Sequence, residues 1–199
     1  MNDSTAGPTA GAGSWVGRLV PRLAAVAVLV VLDLWSKSAV FAWLSERPAG
    51  MELDVHHHLR YPLLGEWLTF FLSRNPGMAW GFDGLPSWLL VGGRIAAVGF
   101  LTWILARTPG RRRLLVVSLV LILAGALGNL HDNLFLEPLS AGARFGEVRD
   151  FIDVYFAGIG ESGWHFPTFN VADACISVGA CLLFASSFVG EREPGGEAG

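Results

Sequence analysis

Four long apolar stretches, separated by polar segments, organise the chain. They run from Leu23 to about Leu44, from Pro86 to Ala106, from Leu114 to about Leu130 and from Phe169 to about Val189. Each approaches the roughly 20 apolar residues that a helix needs to cross a bilayer. The pattern predicts a mainly α-helical fold, a transmembrane bundle of four helices.

The polar segments at the two ends of the chain flank a single predicted domain. Residues 1–17 are rich in Gly, Ala, Ser, Thr and Pro without periodicity, which is typical of a disordered tail. Residues 18–190 form the expected membrane domain, and residues 191–199 form a polar C-terminal tail. The first apolar run has the basic start of a cleaved signal peptide. Because its apolar character resumes beyond Lys37, we expect a retained helix instead.

Composition supports a membrane protein and excludes some partners. Hydrophobic residues make up 52% of the chain, charged residues only 16%, and the mean hydropathy is +0.48. A soluble domain carries roughly a quarter charged residues. The net charge of -3 gives no indication of a nucleic-acid partner, which would favour a basic surface.

The distribution of arginine and lysine predicts the orientation of the bundle. The turn at residues 107–113 contains four arginines, and Arg18 and Arg22 precede the first apolar run. Short cytoplasmic loops hold the excess of basic residues. We therefore expect both termini and this turn to be cytoplasmic, and the long loops at 45–85 and 131–168 to be extracytoplasmic.

Ionisable residues within or near the spans are the first candidates for chemistry, because each costs about 2.5–3.5 kcal/mol at a helix centre. Asp33 and Lys37 lie four residues apart on one helical face and can form an ion pair. We favour a structural pair over a direct chemical role. Arg94 lies in the second span, where an acid or a lipid phosphate could pair with it, and its role stays open.

A second group of acids lies near the predicted outer ends of the third and fourth spans: Asp132, Asp150, Asp153 and Asp173. Two neighbouring carboxyl groups share one proton, since two like charges at close range cannot both ionise. Such a pair supplies an acid and a base for water-mediated peptide hydrolysis. The same acids could instead cap helices, pair with Arg144 and Arg149, or serve a proton-coupled carrier. Spacing alone leaves these alternatives open, and with them the partner of Asp173.

The histidines do not indicate a metal site. His56, His57 and His58 are consecutive, so they cannot all face one ion, and no metal-binding spacing involves His131 or His165. We expect no metal and no cofactor.

Five sequence blocks together resemble lipoprotein signal peptidase, also called signal peptidase II. In chain order they are LDLWSK (32–37), NPGMAWGF (75–82), GALGNLHD (125–132), DFIDVYF (150–156) and WHFPTFNVADA (164–174). The resemblance implies a membrane aspartyl endopeptidase that removes the signal peptide from diacylglyceryl-modified prolipoproteins. It implies cleavage immediately before the lipid-modified cysteine.

The resemblance also assigns roles to residues of this chain. The implied catalytic dyad is Asp150 and Asp173. The implied supporting or substrate-binding residues are Asp33, Lys37, Asn75, Gly77, Gly128, Asn129, Asp132 and Asn170. Asparagines can donate or accept hydrogen bonds without charge, and glycines permit close backbone approach.

The resemblance further implies a small extracytoplasmic β-sheet and a mobile helix over the site, drawn from residues 45–85 and 145–168. It places the protein in the bacterial inner membrane, with the active site near the outer leaflet. Prolipoproteins and membrane lipids are the expected partners, and we expect a monomer.

One departure from the family pattern bears on activity. The family usually has an arginine directly after the Asp of the third block, and this chain has Asn133. A buried acid or a lipid phosphate would then lose its cation unless Arg74, Arg144 or Arg149 replaces it. The departure is the best support for an alternative function, that of a catalytically inactive, lipoprotein-binding relative. Retention of both Asp150 and Asp173 argues against that alternative.

Overall fold

A computed structural model of the chain describes residues 12–47, 49–53, 59–76, 86–139, 143–158 and 163–188. Its four helices are α1 (Ala12–Ser45), α2 (Ser87–Arg107), α3 (Arg113–Phe135) and α4 (Val171–Ser186). Its five strands are β1 (Glu52–Leu53), β2 (Leu59–Leu64), β3 (Leu68–Asn75), β4 (Val148–Phe156) and β5 (Trp164–His165).

The helices form the bundle that the apolar pattern predicts. Helix α3 packs against α1, α2 and α4, and its inner face is buried over most of its length. Helices α1, α2 and α3 are long and apolar enough to cross a membrane. The 16 residues of α4 make a helix of about 24 Å, shorter than the roughly 30 Å hydrocarbon core. The bundle therefore contains three full-length spans and one short apolar helix.

Helix α1 begins at Ala12, earlier than the start at Leu23 that the apolar run predicts, and it includes Arg22. The Arg22 guanidinium Nη1 donates to the carbonyl oxygens of Leu105 at 2.6 Å and Thr108 at 2.9 Å. These carbonyls lie at the C-terminal end of α2, where backbone acceptors lack helical partners. Arg22, the basic residue before the apolar run, is thus part of α1 and is buried against α2. Helix α1 also includes residues 12–17 of the predicted disordered tail.

Two other helix boundaries differ from the prediction. Helix α3 continues past Leu130 to Phe135, because its polar residues Asp132 and Asn133 face the protein interior and have partners there. Helix α4 begins after Asn170, since Phe169 pairs with β4 and Asn170 caps the helix. The predicted C-terminal end at Val189 falls outside the described residues, and α4 itself ends at Ser186.

The strands form one antiparallel sheet in the order β1-β2-β3-β4-β5. Strands β1 to β3 come from the loop between α1 and α2, and β4 and β5 come from the loop between α3 and α4. This confirms the small sheet implied by the family resemblance. The implied helix over the site is not seen among the described residues of these two loops.

Aromatic residues join the sheet to the end of α1. Trp43 contacts Tyr61 with ring centroids 4.5 Å apart and Phe70 at 6.3 Å, and Phe70 in turn contacts the buried Phe151 at 5.7 Å. Edge-to-face pairs of this kind add to the free energy of burial. They join the sheet to the end of α1.

Candidate active site

Asp150 is a buried carboxylate in the middle of the sheet. It lies on β4 opposite Ser73 of β3, and its exposure is 2%. Asn75 Nδ2 donates to its Oδ2 at 3.1 Å, and Asn170 Nδ2 donates to its Oδ1 at 2.6 Å. Both carboxyl oxygens are therefore held by neutral amides.

Asp173 lies in the first turn of α4, within a capping box. Asn170 is the N-cap: its Oδ1 accepts from the Asp173 backbone N–H at 2.9 Å, and its own backbone N–H donates to Asp173 Oδ2 at 3.2 Å. Reciprocal bonds of this kind satisfy the free N–H groups at a helix start. Asn129 of α3 donates to Asp173 Oδ1 at 2.7 Å. The carboxylate is half-buried and both of its oxygens are bound.

A short backbone bridge brings the two aspartates together. The carbonyl oxygen of Phe169 accepts from the N–H groups of Phe151 at 3.1 Å and Ile152 at 2.9 Å. The Phe169 N–H donates to the Ile152 carbonyl at 3.0 Å. Because Phe169 immediately precedes the cap of α4, this bridge sets the start of the helix beside Asp150.

The charge of Asp173 acts on Asp150. Burial is the larger cause and the nearby Asp173 carboxylate the next, and together they raise the pKa of Asp150 to about 7. The hydrogen bonds from Asn75 and Asn170 oppose this rise. The pair can therefore hold one proton near neutral pH, the condition that acid–base catalysis by two carboxyl groups requires.

Asn129 connects the dyad to a buried ionic cluster. Its Oδ1 accepts from Lys37 Nζ at 2.9 Å and from Asn170 Nδ2 at 3.2 Å, while its Nδ2 donates to Asp173. An amide can accept on one side and donate on the other. The orientation of Asp173 thus depends on a lysine that does not touch it.

The ionic cluster consists of Asp33, Lys37, Asp132 and Arg149. Lys37 Nζ lies 2.7 Å from Asp33 Oδ2, which confirms the predicted pair, and 3.5 Å from Asp132 Oδ2. Arg149 Nη2 lies 2.8 Å from Asp132 Oδ1. Asp33 Oδ1 also accepts from the Ala172 backbone N–H at 2.8 Å, which ties α1 to the start of α4.

Gly128 and Gly125 allow α3 to approach α4 and the cluster. A Cβ atom at Gly128 would overlap Asp33 Oδ2 and lie 3.1 Å from Asp33 Cγ. One at Gly125 would overlap the Ala172 carbonyl oxygen and lie 2.7 Å from Ile176 Cγ1. Both positions require glycine for steric reasons. Gly77, the remaining glycine of the predicted site, lies outside the described residues.

Asp132 and Asp153, the other acids that spacing left open as partners of Asp173, have different partners. Asp132 is held by Arg149 and Lys37. Asp153 binds Arg60 and accepts from Thr69 Oγ1 at 3.1 Å, with His165 Nδ1 also at 3.1 Å. Since Asp150 and Asp153 are three residues apart on a strand, their side chains lie on opposite faces. Asp150 is the acid that faces Asp173.

One of the three arginines predicted to replace a cation at position 133 pairs with a buried acid. Arg149 binds Asp132, whereas Arg74 stacks on Phe41 at 5.1 Å and Arg144 is exposed. Asn133 itself accepts from Arg94 of α2 at its Oδ1. An arginine within an apolar span was the available signal, but its partner could not be read from local spacing.

Among the residues that the structure describes, no three His, Cys, Asp or Glu side chains are placed to share a metal ion. His131 and His165 each lie beside a carboxylate, Asp132 and Asp153 respectively. His56, His57 and His58 lie outside the described part of the chain.

Comparisons with known proteins cover most of the chain. The profile of the family described as "Signal peptidase (SPase) II" matches residues 25–189. A lipoprotein signal peptidase of Pseudoalteromonas translucida (strain TAC 125) is 39% identical over 168 residues, covering 82% of this chain and 86% of the relative. One of Chlorobaculum parvum (strain DSM 263 / NCIMB 8327) is 34% identical over 160 residues, with coverage of 79% and 88%.

A solved bacterial membrane enzyme has the same fold. It superposes with a TM-score of 0.62 at 24% identity, and the alignment covers 87% of this chain and 93% of the other. The bundle and its appended sheet are therefore shared with a membrane enzyme whose structure is known.

Proposed function

The chain belongs to the signal peptidase II family, and on that premise we propose that it is an aspartic endopeptidase that removes signal peptides from diacylglyceryl-modified prolipoproteins. It cuts before the lipid-modified cysteine. The observation that carries the aspartic mechanism is the pair Asp150 and Asp173, whose carboxyl oxygens are held by Asn75, Asn129 and Asn170.

The dyad holds one proton, and Asp150 is its favoured holder because it is the more buried carboxyl. Ionised Asp173 takes a proton from a water molecule, whose oxygen attacks the scissile carbonyl carbon. The protonated carboxyl donates to the carbonyl oxygen, giving a tetrahedral intermediate. Collapse breaks the carbon–nitrogen bond: Asp173 gives the proton it took from water to the leaving amine, and a hydroxyl proton of the intermediate returns to Asp150. The two products are a signal peptide with a new carboxyl end and a lipoprotein with a new amino end.

The amides have a separate role. Three neutral side chains orient two carboxylates without placing a positive charge directly on either of them. A lysine or arginine in ion-pair contact would favour full ionisation, and the shared proton would be lost. Lys37 is linked to Asp173 by hydrogen bonds through the amide of Asn129, and its charge acts through space to oppose the rise in the pKa of Asp150.

The position of the site fits a substrate that arrives from the lipid phase. The dyad, the sheet and the ends of α1 and α3 lie at one end of the bundle, and the arginine-rich turn at residues 107–113 lies at the other. Basic turns stay on the cytoplasmic side. This supports an active site near the outer leaflet of the bacterial inner membrane, with both termini cytoplasmic.

The test is cleavage of a diacylglyceryl-modified prolipoprotein by the purified protein in detergent. Asp150→Asn and Asp173→Asn are expected to abolish cleavage while folding is retained. Asp153→Asn is the matched control, since it lies on the same strand but outside the dyad, and it should still cleave. Full activity of either dyad variant would show that the wrong pair is assigned. A well-folded parent that does not cleave would favour the inactive, lipoprotein-binding relative.

A further inference from the structure

A serine hydroxyl lies on the sheet directly across from the buried carboxyl of the dyad. Ser73 of β3 is paired in register with Asp150 of β4. Residues paired in this way point to the same face of a sheet, with their Cβ atoms about 4.5–5.5 Å apart. Asn75, two residues further along β3, points to that face as well, and its amide donates to Asp150 Oδ2 at 3.1 Å. Ser73 is therefore a neighbour of Asp150 on the face that carries the dyad.

An irregularity in the sheet brings Ser73 to this position. Phe70 of β3 pairs with Ile152 of β4. A regular antiparallel ladder continuing from that pair would place Leu72 across from Asp150. The register shifts between Phe70 and Ser73, so the serine takes the place of the leucine. Bulges are over-represented next to active sites, where they re-aim a side chain. Here the shift exchanges an apolar neighbour of Asp150 for a hydroxyl group.

The next pair of residues along the two strands supports the direction of this face. Arg74 and Arg149, which adjoin the serine and the aspartate, are paired with each other. Arg74 stacks on Phe41, and Arg149 donates to Ser38 Oγ at 3.1 Å, so their side chains pack on α1. Consecutive residues of a strand point to opposite faces of the sheet. The serine and the aspartate therefore lie on the face that is turned away from this part of α1.

The hydroxyl of Ser73 is open to a ligand, whereas the carboxyl beside it is almost covered. Asp150 is 2% exposed, and each of its oxygens accepts from an amide. Ser73 is half-buried, and within the described part of the chain its Oγ makes no hydrogen bond. A serine hydroxyl can donate one hydrogen bond. Because the two Cβ atoms are about 5 Å apart, a substrate carbonyl that meets the proton of Asp150 also lies within reach of this second donor.

We propose that Ser73 is a further catalytic residue, whose Oγ–H donates to the scissile carbonyl oxygen beside the protonated Asp150. The inference rests on the proposed function. Partial negative charge develops on that oxygen as water attacks the carbonyl carbon, before the proton of Asp150 is transferred. A fixed donor stabilises this charge more than it stabilises the uncharged substrate. The hydroxyl of Ser73 keeps its own proton throughout, so the proton transfers of the dyad are unchanged.

The test compares two variants of the same shape, Ser73→Thr, which keeps a hydroxyl, and Ser73→Val, which removes it. In Ser73→Val we expect kcat for prolipoprotein cleavage to fall by about tenfold to a hundredfold relative to Ser73→Thr. KM should stay within about twofold, because the lost bond strengthens only in the transition state. Thr69→Val removes a hydroxyl from the same strand that bonds Asp153. It is the matched control and should keep the parental kcat.

Binding of a transition-state analogue gives a second readout that a purely structural role would not change. The probe is a diacylglyceryl-modified peptide with a CH(OH) group in place of the scissile carbonyl, which resembles the tetrahedral intermediate. Its inhibition constant should rise in Ser73→Val by the factor that kcat loses, with thermal unfolding unchanged from Ser73→Thr. Equal kcat in the two variants, or a loss of kcat without weaker binding of the analogue, would overturn the role of Ser73 and leave the proposed function standing. A parent protein that neither cleaves nor binds the analogue would refute the proposed function, and this inference with it.

Discussion

Replacing Gly125 with alanine should both destabilise the protein and slow cleavage, because α3 and α4 meet there without room for a methyl group. The added Cβ would overlap the Ala172 carbonyl oxygen and lie 2.7 Å from Ile176 Cγ1. Carbon atoms prefer separations of about 3.5–4.0 Å, so α4 must move by about 1 Å. The obstructing atoms include backbone, which cannot rotate away.

The expected size follows from two opposing effects. Overpacking of a tight interface costs about 1–3 kcal/mol, and alanine in a helix is favoured over glycine by roughly 0.5–1 kcal/mol. We expect a net loss of about 1–2 kcal/mol in the free energy of unfolding. Ala172 adjoins Asp173, and a misplacement of about 1 Å in a catalytic group can cost about a hundredfold in rate.

The assay compares Gly125→Ala with Gly99→Ala by denaturant titration in detergent micelles and by kcat for prolipoprotein cleavage. Gly99 lies on the exposed face of α2, and a Cβ there would have no neighbour within 4 Å. That control should be as stable as the parent or slightly more so, with an unchanged rate. Equal stability of the two alanine variants would refute the packing argument, and lost stability with normal kcat would refute its link to Asp173.

Three further predictions concern charge and capping. The pKa of Asp150 is raised to about 7 in the folded protein. Between about pH 4 and pH 7 the folded protein therefore keeps a proton on Asp150 that the unfolded protein has released. The contribution of Asp150 to the free energy of unfolding declines over this range as the pH rises. Asp150→Asn should therefore be more stable than the parent at pH 8 in thermal unfolding, and parental cleavage should fall above about pH 7. Lys37→Met should lower the free energy of unfolding by about 3–5 kcal/mol, since it leaves Asp33 and Asp132 buried without their shared cation; unchanged stability would contradict this. Asn170→Ala should lose about 1 kcal/mol and most activity, whereas Asn170→Ser should regain the cap but not the rate; full activity of the serine variant would show that the bond to Asp150 is dispensable.

The presence of each helix could be predicted because a long apolar run is itself evidence of a spanning helix. The residues at which the helices begin and end were harder to predict, because they depend on contacts with other parts of the chain. Arg22, inside α1, donates to carbonyls at the end of α2, and Phe169 pairs with β4 instead of joining α4. Neither contact leaves a local pattern in the sequence.

The sequence predicted which types of residue form the candidate site better than it predicted which of them contact one another. Acids near the span ends indicated a carboxylate pair, but their spacing in the sequence did not separate Asp150 from Asp153. The resemblance named Asp150, and the geometry explains why Asp153 belongs to the other face, with Arg60 and Thr69. Arg94 and Asn133 are far apart in the chain, so their contact needed the packing of α2 on α3.

The order of strands in the sheet has a consequence for when activity can arise. Strand β3 precedes α2 and α3, while β4 follows them, so the pairing of these two strands must await insertion of both helices. Asp150 and Asp173, the proposed dyad, lie in the last third of the chain, whereas Lys37 and Asn75 are synthesised early. On the proposed mechanism, a chain that lacks α4 cannot cleave, and activity begins only when this helix docks against a bundle that is already assembled.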